Sequence, residues 1–389
     1  MPSREPLYAE VEPSVISWAF NTSGWKKEEL VKKLGISQEL FDKWLSGKAK
    51  PTIKQLDVLS KYLKRPLAAF FLSEPPPEPP QPKDYRMLPD KKDKFDRKTL
   101  LAIRKARRLQ EVSRELSENL DTNLAPKIKN YKLTEEPKKI AEIFRNEFGF
   151  NEEIQKKIKN SYNLFNLLRD SIEDRNIFVF QISMPLDDAR GFSLIDGFPA
   201  IIIVNSRDSI EARVFTLMHE FGHIVLNEPG ISMPENLLSV KNIDKVEKWC
   251  NEFSSSFLFP EALAKSVFEE NKERLTAPET LNFLSNEYKL SKAMLLYNMN
   301  KLGYISYELF NEILERYKPQ VPEKKGEEDK KAKVFGKKAE QKCISENGQK
   351  FVSLVATNVE RGLITHSDAL SYLSIKLKNL DKVISKAKR

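Results

Sequence analysis

Two of the three histidines in this 389-residue chain stand four residues apart, in His219-Glu220-Phe221-Gly222-His223. Residues four apart on a helix share a face, so both imidazoles can aim a nitrogen at one metal ion. Glu220 sits one step round the helix, where its carboxylate can reach an attacking water and take its proton. The chemistry this spacing suits is metal-assisted hydrolysis. Two histidines and a carboxylate suit Zn2+ as the cofactor, and also manganese or iron.

A hydrolytic zinc takes three protein ligands and keeps one position open. His366 lies far off, beyond a lysine-rich stretch. The nearer source is the next predicted helix, residues 243–259, which carries Glu247, Cys250, Asn251 and Glu252. Glu247 and Asn251 are one turn apart on one face, and Glu252 points about 100° away from Asn251. Cys250 is a soft ligand by chemistry, although a lone helical cysteine more often packs in a core. On the residues alone, Glu247 and Glu252 both stay open as the third ligand.

The elements that must position these groups can be read from periodicity. The helix bearing the histidines begins near Ser206 or Asp208, either of which can cap it, and ends before Pro229-Gly230. Residues 177–182 read as a strand. Residues 191–195 and 200–205 form a hairpin-like pair around Asp196-Gly197. The run Ile201-Ile202-Ile203-Val204 fits an exposed edge that pairs with an extended substrate, and equally a buried strand. Residues 140–148 and 164–175 read as helices. Residues 96–120 read as one long helix, with Arg104, Lys105, Arg107 and Arg108 opposite its apolar face. That basic side is either a phosphate-binding face or a solvated one.

The first 72 residues have helical spacing throughout. Residues 27–34, Gly35-Ile36-Ser37 and residues 38–45 read as helix, tight turn, helix, with Ser37 as cap. This looks like an XRE/Cro-type helix-turn-helix. The resemblance implies DNA binding, with Ser37, Gln38, Asp42 and Lys43 facing the groove and Lys48 and Lys50 on phosphates. Trp44 is expected in the core. Leu45 stands where an acidic residue is usual, and residues 20–23 lack the common arginine. A helical bundle that binds protein, including a second copy of itself, is the alternative. Helix-turn-helix domains usually pair, so a homodimer is expected.

The metal region also resembles a family. The stretches Phe215-Thr216-Leu217-Met218-His219-Glu220-Phe221-Gly222-His223 and Cys250-Asn251-Glu252-Phe253-Ser254-Ser255-Ser256-Phe257-Leu258-Phe259-Pro260 are similar to those of the ImmA/IrrE metallo-endopeptidases. That resemblance implies a gluzincin-like zinc site with His219, His223 and Glu247 as ligands and Glu220 as general base. Asn251 then supports a histidine or the ligand carboxylate from behind. It implies as partner a repressor or other regulatory protein that is cleaved; the alternative is that this chain is itself a non-proteolytic transcription regulator or antitoxin-like protein whose zinc domain senses or scaffolds.

The whole chain bounds these readings. Charged residues make up 31% and the net charge is +9, which favours an acidic partner such as DNA. Two cysteines make no disulfide framework, no apolar run is long enough to span a membrane, and the start has no signal-peptide pattern. A cytoplasmic protein is expected. The expected fold is multidomain: an all-α helix-turn-helix domain, an α+β zincin-like domain and a helical C-terminal segment. The expected boundaries are residues 1–72, a proline-rich linker and basic helix over 73–130, the peptidase-like domain over 131–317, a charged linker over 318–346, and 347–389.

Overall fold

The structure is a computed structural model that describes residues 6–77, 95–228, 231–232, 245–317 and 338–387. Most of the proline spacer, Lys83-Asp84-Tyr85-Arg86, and the lysine-rich stretch up to residue 337 lie outside them. The described residues form two compact units, one of residues up to 105 and one from 106 onward.

The first unit holds α1 (Pro13–Asn21), α2 (Lys27–Leu34), α3 (Gln38–Leu45) and α4 (Ile53–Leu63). Gly35 ends α2 in the left-handed conformation, at φ 68°, which a residue without Cβ adopts without strain. Ser37 then caps α3 by accepting from the Leu40 amide at 3.1 Å, as the sequence predicts. A reciprocal capping box of Thr52 and Gln55 opens α4. Leu30, Phe41, Trp44, Leu56, Leu59 and Phe70 are fully buried between these helices. Trp44 is therefore core, as expected.

Helix α5 (Arg97–Glu118) contributes its first nine residues to this unit and the rest to the second. Its basic residues divide between half-buried ones with partners inside each unit and exposed ones that form a solvated side. Arg97 stacks over the Trp25 ring at 4.3 Å, and Arg104 donates to the Leu63 carbonyl at 3.3 Å. Further along, Arg107 pairs with Asp196 at 2.7 Å, and Gln110 donates to the Gly197 and Pro199 carbonyls. Lys105 and Arg108 remain exposed.

The second unit continues with α6 (Pro137–Glu147), α7 (Glu152–Lys157) and α8 (Ser161–Glu173). Strands β1 (Ile177–Ile182), β2 (Gly191–Leu194) and β3 (Ala200–Asn205) follow, then α9 (Ile210–Leu226), β4 (Ile231–Ser232) and α10 (Lys245–Leu258). The sheet order is β1-β3-β2-β4. Strand β3 runs parallel to β1 and antiparallel to β2, with Val179 opposite Ile202 and Leu194 opposite Ile201. The hairpin is thus present. The edge-strand reading of β3 is not: both its sides are paired and all six residues are buried, so it cannot receive a substrate backbone. Its unbroken apolar run is that of a strand covered on both faces.

Helix α9 packs on this sheet and lies between α8 and α10. It is buried nearly all round, as a helix with apolar residues on every side must be. Its cap is Ser209, which accepts from the Ala212 amide at 3.2 Å. The predicted caps Ser206 and Asp208 lie upstream of it; Asp208 pairs instead with Arg190 at 3.0 Å.

Helices α11 (Glu261–Glu270), α12 (Pro278–Tyr288), α13 (Lys292–Lys301) and α14 (Tyr307–Tyr317) complete that side. Then come α15 (Ala339–Asn347), α16 (Gln349–Glu360), α17 (His366–Leu373) and α18 (Leu380–Ala387). Helix α15 occupies the end of the segment read as a charged linker, because Cys343 and Asn347 are buried there.

Candidate metal centre

His219 and His223 lie one turn apart on α9, and Glu247 opens α10, which packs across it. Their side chains are 1%, 0% and 0% exposed. His219 Nε2 is 3.2 Å from Glu247 Oε2, and His223 Nε2 is 3.1 Å from Glu247 Oε1. The two Nε2 atoms are 3.2 Å apart. His223 Nδ1 faces the Glu228 carbonyl at 3.1 Å. A carbonyl only accepts, so Nδ1 carries the proton and the Nε2 lone pair is turned towards Glu247 and His219.

These distances test whether a metal fits. Ligands about 2.0–2.1 Å from a tetrahedral zinc stand roughly 3.3 Å from one another. The three observed separations are close to that, and the donors are the two imidazoles and one carboxylate that zinc accepts. Among the described residues, His219, His223 and Glu247 form a cluster able to hold an ion.

The rival ligands do not belong to that cluster. Glu252 bonds to Lys301 and lies 3.9 Å from Lys138, on the outer side of α10. Cys250 is buried against His223; burial raises its thiol pKa, the His223 contact opposes that shift, and its sulfur is not among the clustered ligand atoms. His366 is exposed in the first turn of α17.

Close packing brings α10 to α9. A Cβ on Gly222 would stand 3.3 Å from both Cys250 Sγ and Phe253 Cδ1. Behind the histidines, Phe221 meets Phe144 edge-on at 5.0 Å, and Phe253 stacks on Trp249 at 5.3 Å. The apolar back of α9 thus fixes the rotation that turns both imidazoles towards Glu247.

Glu220 is completely buried and lies against β2. A Cβ on Gly191 would come within 2.6 Å of Thr216 Cγ2, 2.7 Å of the Ile203 carbonyl and 3.5 Å of Glu220 Cγ. Sequence reading missed this glycine as a site residue. Its signal was a glycine within a strand, which marks a close approach of another element. Asn251, one turn beyond Glu247, is 8% exposed.

In the first unit, Ser37, Gln38, Asp42, Lys43, Lys48 and Lys50 are all exposed. Three carry ion pairs within that unit: Asp42 with Lys27, Lys43 with Glu39 and Lys50 with Glu10, at 2.5–2.7 Å.

A buried histidine pair closed by a glutamate from the next helix, beside a small mixed sheet, defines a metallopeptidase-like centre. Residues 172–300 match the peptidase M78 family model, described as the IrrE N-terminal-like domain, and that span contains β1 to β3, both histidines and Glu247. No curated protein sequence matches the chain. Among solved structures, a Mycobacterium tuberculosis transcriptional regulator is similar at 16% identity and a TM-score of 0.29. That match covers 42% of this chain and 46% of the regulator, so the chain spans about half of that protein's length.

Proposed function

We propose that this chain is a zinc-dependent metallo-endopeptidase that regulates transcription by cleaving a repressor or other regulatory protein. The observation that carries the reading is the convergence of His219, His223 and Glu247 at 3.1–3.2 Å, with Glu220 on the same helix. Zinc held there would act as a Lewis acid, acidifying water and polarising a peptide carbonyl. Glu220 takes the proton of the attacking water and passes it to the leaving amine. The Glu228 carbonyl keeps His223 in the ligating tautomer, and Asn251 orients the Glu247 carboxylate from one turn away. The N-terminal unit binds DNA through α3, holding the peptidase near its target in the cytoplasm, and pairs with a second copy. Gln38 reads a base edge, and Lys48 and Lys50 hold phosphates.

A second reading has its own support. The ligands and Glu220 are at most 1% exposed, as suits a metal that holds a sensor together without cutting. Elemental analysis of the purified chain separates the steps. About one zinc per chain is expected, lost in Glu247→Ala and kept in Glu252→Ala and Glu220→Gln. If Glu220→Gln leaves the regulatory effect intact, the chain works without proteolysis. Absence of metal after zinc addition overturns both readings. For DNA, binding that weakens steeply with salt is expected, with Lys48→Ala losing affinity on all sequences alike.

A further inference from the structure

Beside the metal cluster the second unit contains a small cavity of about 40 Å³. Two of its walls belong to the ligand-bearing helices: Phe215 lies one turn before His219 on α9, and Asn251 one turn after Glu247 on α10. The Phe215 ring centroid is 6.2 Å from that of His219. Ala293 and Met294 at the start of α13 line it too, with Phe310 and Leu314 of α14. The remaining lining residue is Tyr297, and the surface is mostly apolar. None of these side chains is charged.

We infer that this cavity is a specificity pocket for an aliphatic side chain flanking the scissile bond, an inference that presupposes the metallopeptidase reading above. A peptide carbonyl brought to the cluster of His219, His223 and Glu247 places its neighbouring side chains within a few ångströms of Phe215 and Asn251. An apolar group there leaves water for a dry wall of aromatic and aliphatic atoms. A cationic or anionic group would lose hydration with no charged partner in return. The volume sets the size. About 40 Å³ is several times what one water needs, which suits the end of an aliphatic side chain.

The test uses the zinc-loaded full chain and alkyl hydroxamates, whose head anchors on zinc while the flexible tail reaches either side. Binding of acetohydroxamate, 4-methylpentanohydroxamate and 4-aminobutanohydroxamate is measured by calorimetry. The branched aliphatic tail is expected to bind about ten-fold tighter than acetohydroxamate, as burial of two methylenes gives, and the cationic tail no tighter. Ala293→Leu fills the cavity from a half-buried position and should abolish that gain while leaving acetohydroxamate binding within about two-fold. Leu314→Ala enlarges the cavity and should move the preference towards 3-phenylpropanohydroxamate. Equal affinity for all three tails, or a gain that persists in Ala293→Leu, overturns the pocket and leaves the metal centre standing. Failure of acetohydroxamate to bind the zinc-loaded chain overturns the metal-centre reading itself, and the pocket with it.

Discussion

At the scale of single residues, two glycines let the elements around the centre close on one another. Gly222 lets α10 approach α9, and Gly191 lets β2 approach the helix face that carries Thr216 and Glu220. At Gly191 the obstacle to a larger residue is partly backbone, the Ile203 carbonyl 2.7 Å from an added Cβ. A carbonyl within a fully paired strand has little freedom to retreat. Gly191→Ala is therefore expected to destabilise the second unit by about 1–3 kcal/mol, the usual cost of overpacking, measured as a lower urea midpoint. Because Glu220 Cγ lies 3.5 Å from the same point, the cleavage that the proposed function requires should fall by more than zinc affinity. Equal losses in both would mean that Gly191 acts only through the fold.

At the scale of elements, the helices were legible in the sequence because their caps and apolar periods agree. Ser37 capping α3 and Pro260 ending α10 are examples. The candidate metal cluster was legible in a similar way: His219 and His223 share one helix face, and Glu247, which the family resemblance pointed to, lies beside them. Sheet order was not legible. An apolar run such as Ile201-Ile202-Ile203-Val204 has the same appearance at an edge and in a centre, and β3 proved central only through its partners. The packing of α6 against α10 illustrates a further element-level bond. Lys138 of α6 bonds to Glu261 at 2.6 Å, just past the end of α10. Hydrogen bonds from Lys138 and then Lys265 hold the Glu261 carboxyl at about 2. A carboxyl whose folded pKa lies below its ordinary 4.5 contributes stability above that pH and loses it as pH falls towards 2. Both partners are more than a third exposed, so solvent screening limits the pair to about 0.2–1 kcal/mol. Glu261→Gln should show a deficit of that size at pH 7 that narrows by pH 3, read from urea unfolding at the two pH values. A deficit constant with pH would assign the loss to packing.

At the scale of the whole molecule, the C-terminal helices are part of the second unit's construction. Strand β1 ends the sheet, and its free side is where α15 packs. Arg169 of α8 donates to the Val179 carbonyl of β1 and, at 2.9 Å, to the Ser345 carbonyl of α15. It also pairs with Glu173 at 3.2 Å, both side chains being at most 4% exposed. Burial raises the Glu173 pKa and lowers that of Arg169, and the pairing opposes both shifts. Glu173 in turn accepts from the Lys350 amide at 3.0 Å. Gly348 passes so close, at φ 82°, that a Cβ would overlap the Glu173 carboxylate. Phe351 meets Phe180 of β1 edge-on at 5.2 Å. Such a junction stabilises only when complete, because a buried charge left alone costs more than the pair returns. Arg169→Ala is expected to destabilise the second unit by about 3–5 kcal/mol, whereas Arg169→Met with Glu173→Leu should come much closer to neutral. Deletion of residues 338–389 leaves the Arg169–Glu173 pair but removes the Ser345 carbonyl and the Lys350 amide that complete it, and takes Phe351 away from Phe180. Amide exchange in β1 should then quicken while exchange in α1 to α4, which belong to the other unit, stays unchanged. Equal exchange in β1 with and without the deletion would show that the sheet edge is secured by α8 alone. The C-terminal helices would then be an attachment to the peptidase-like unit, with no share in holding its sheet.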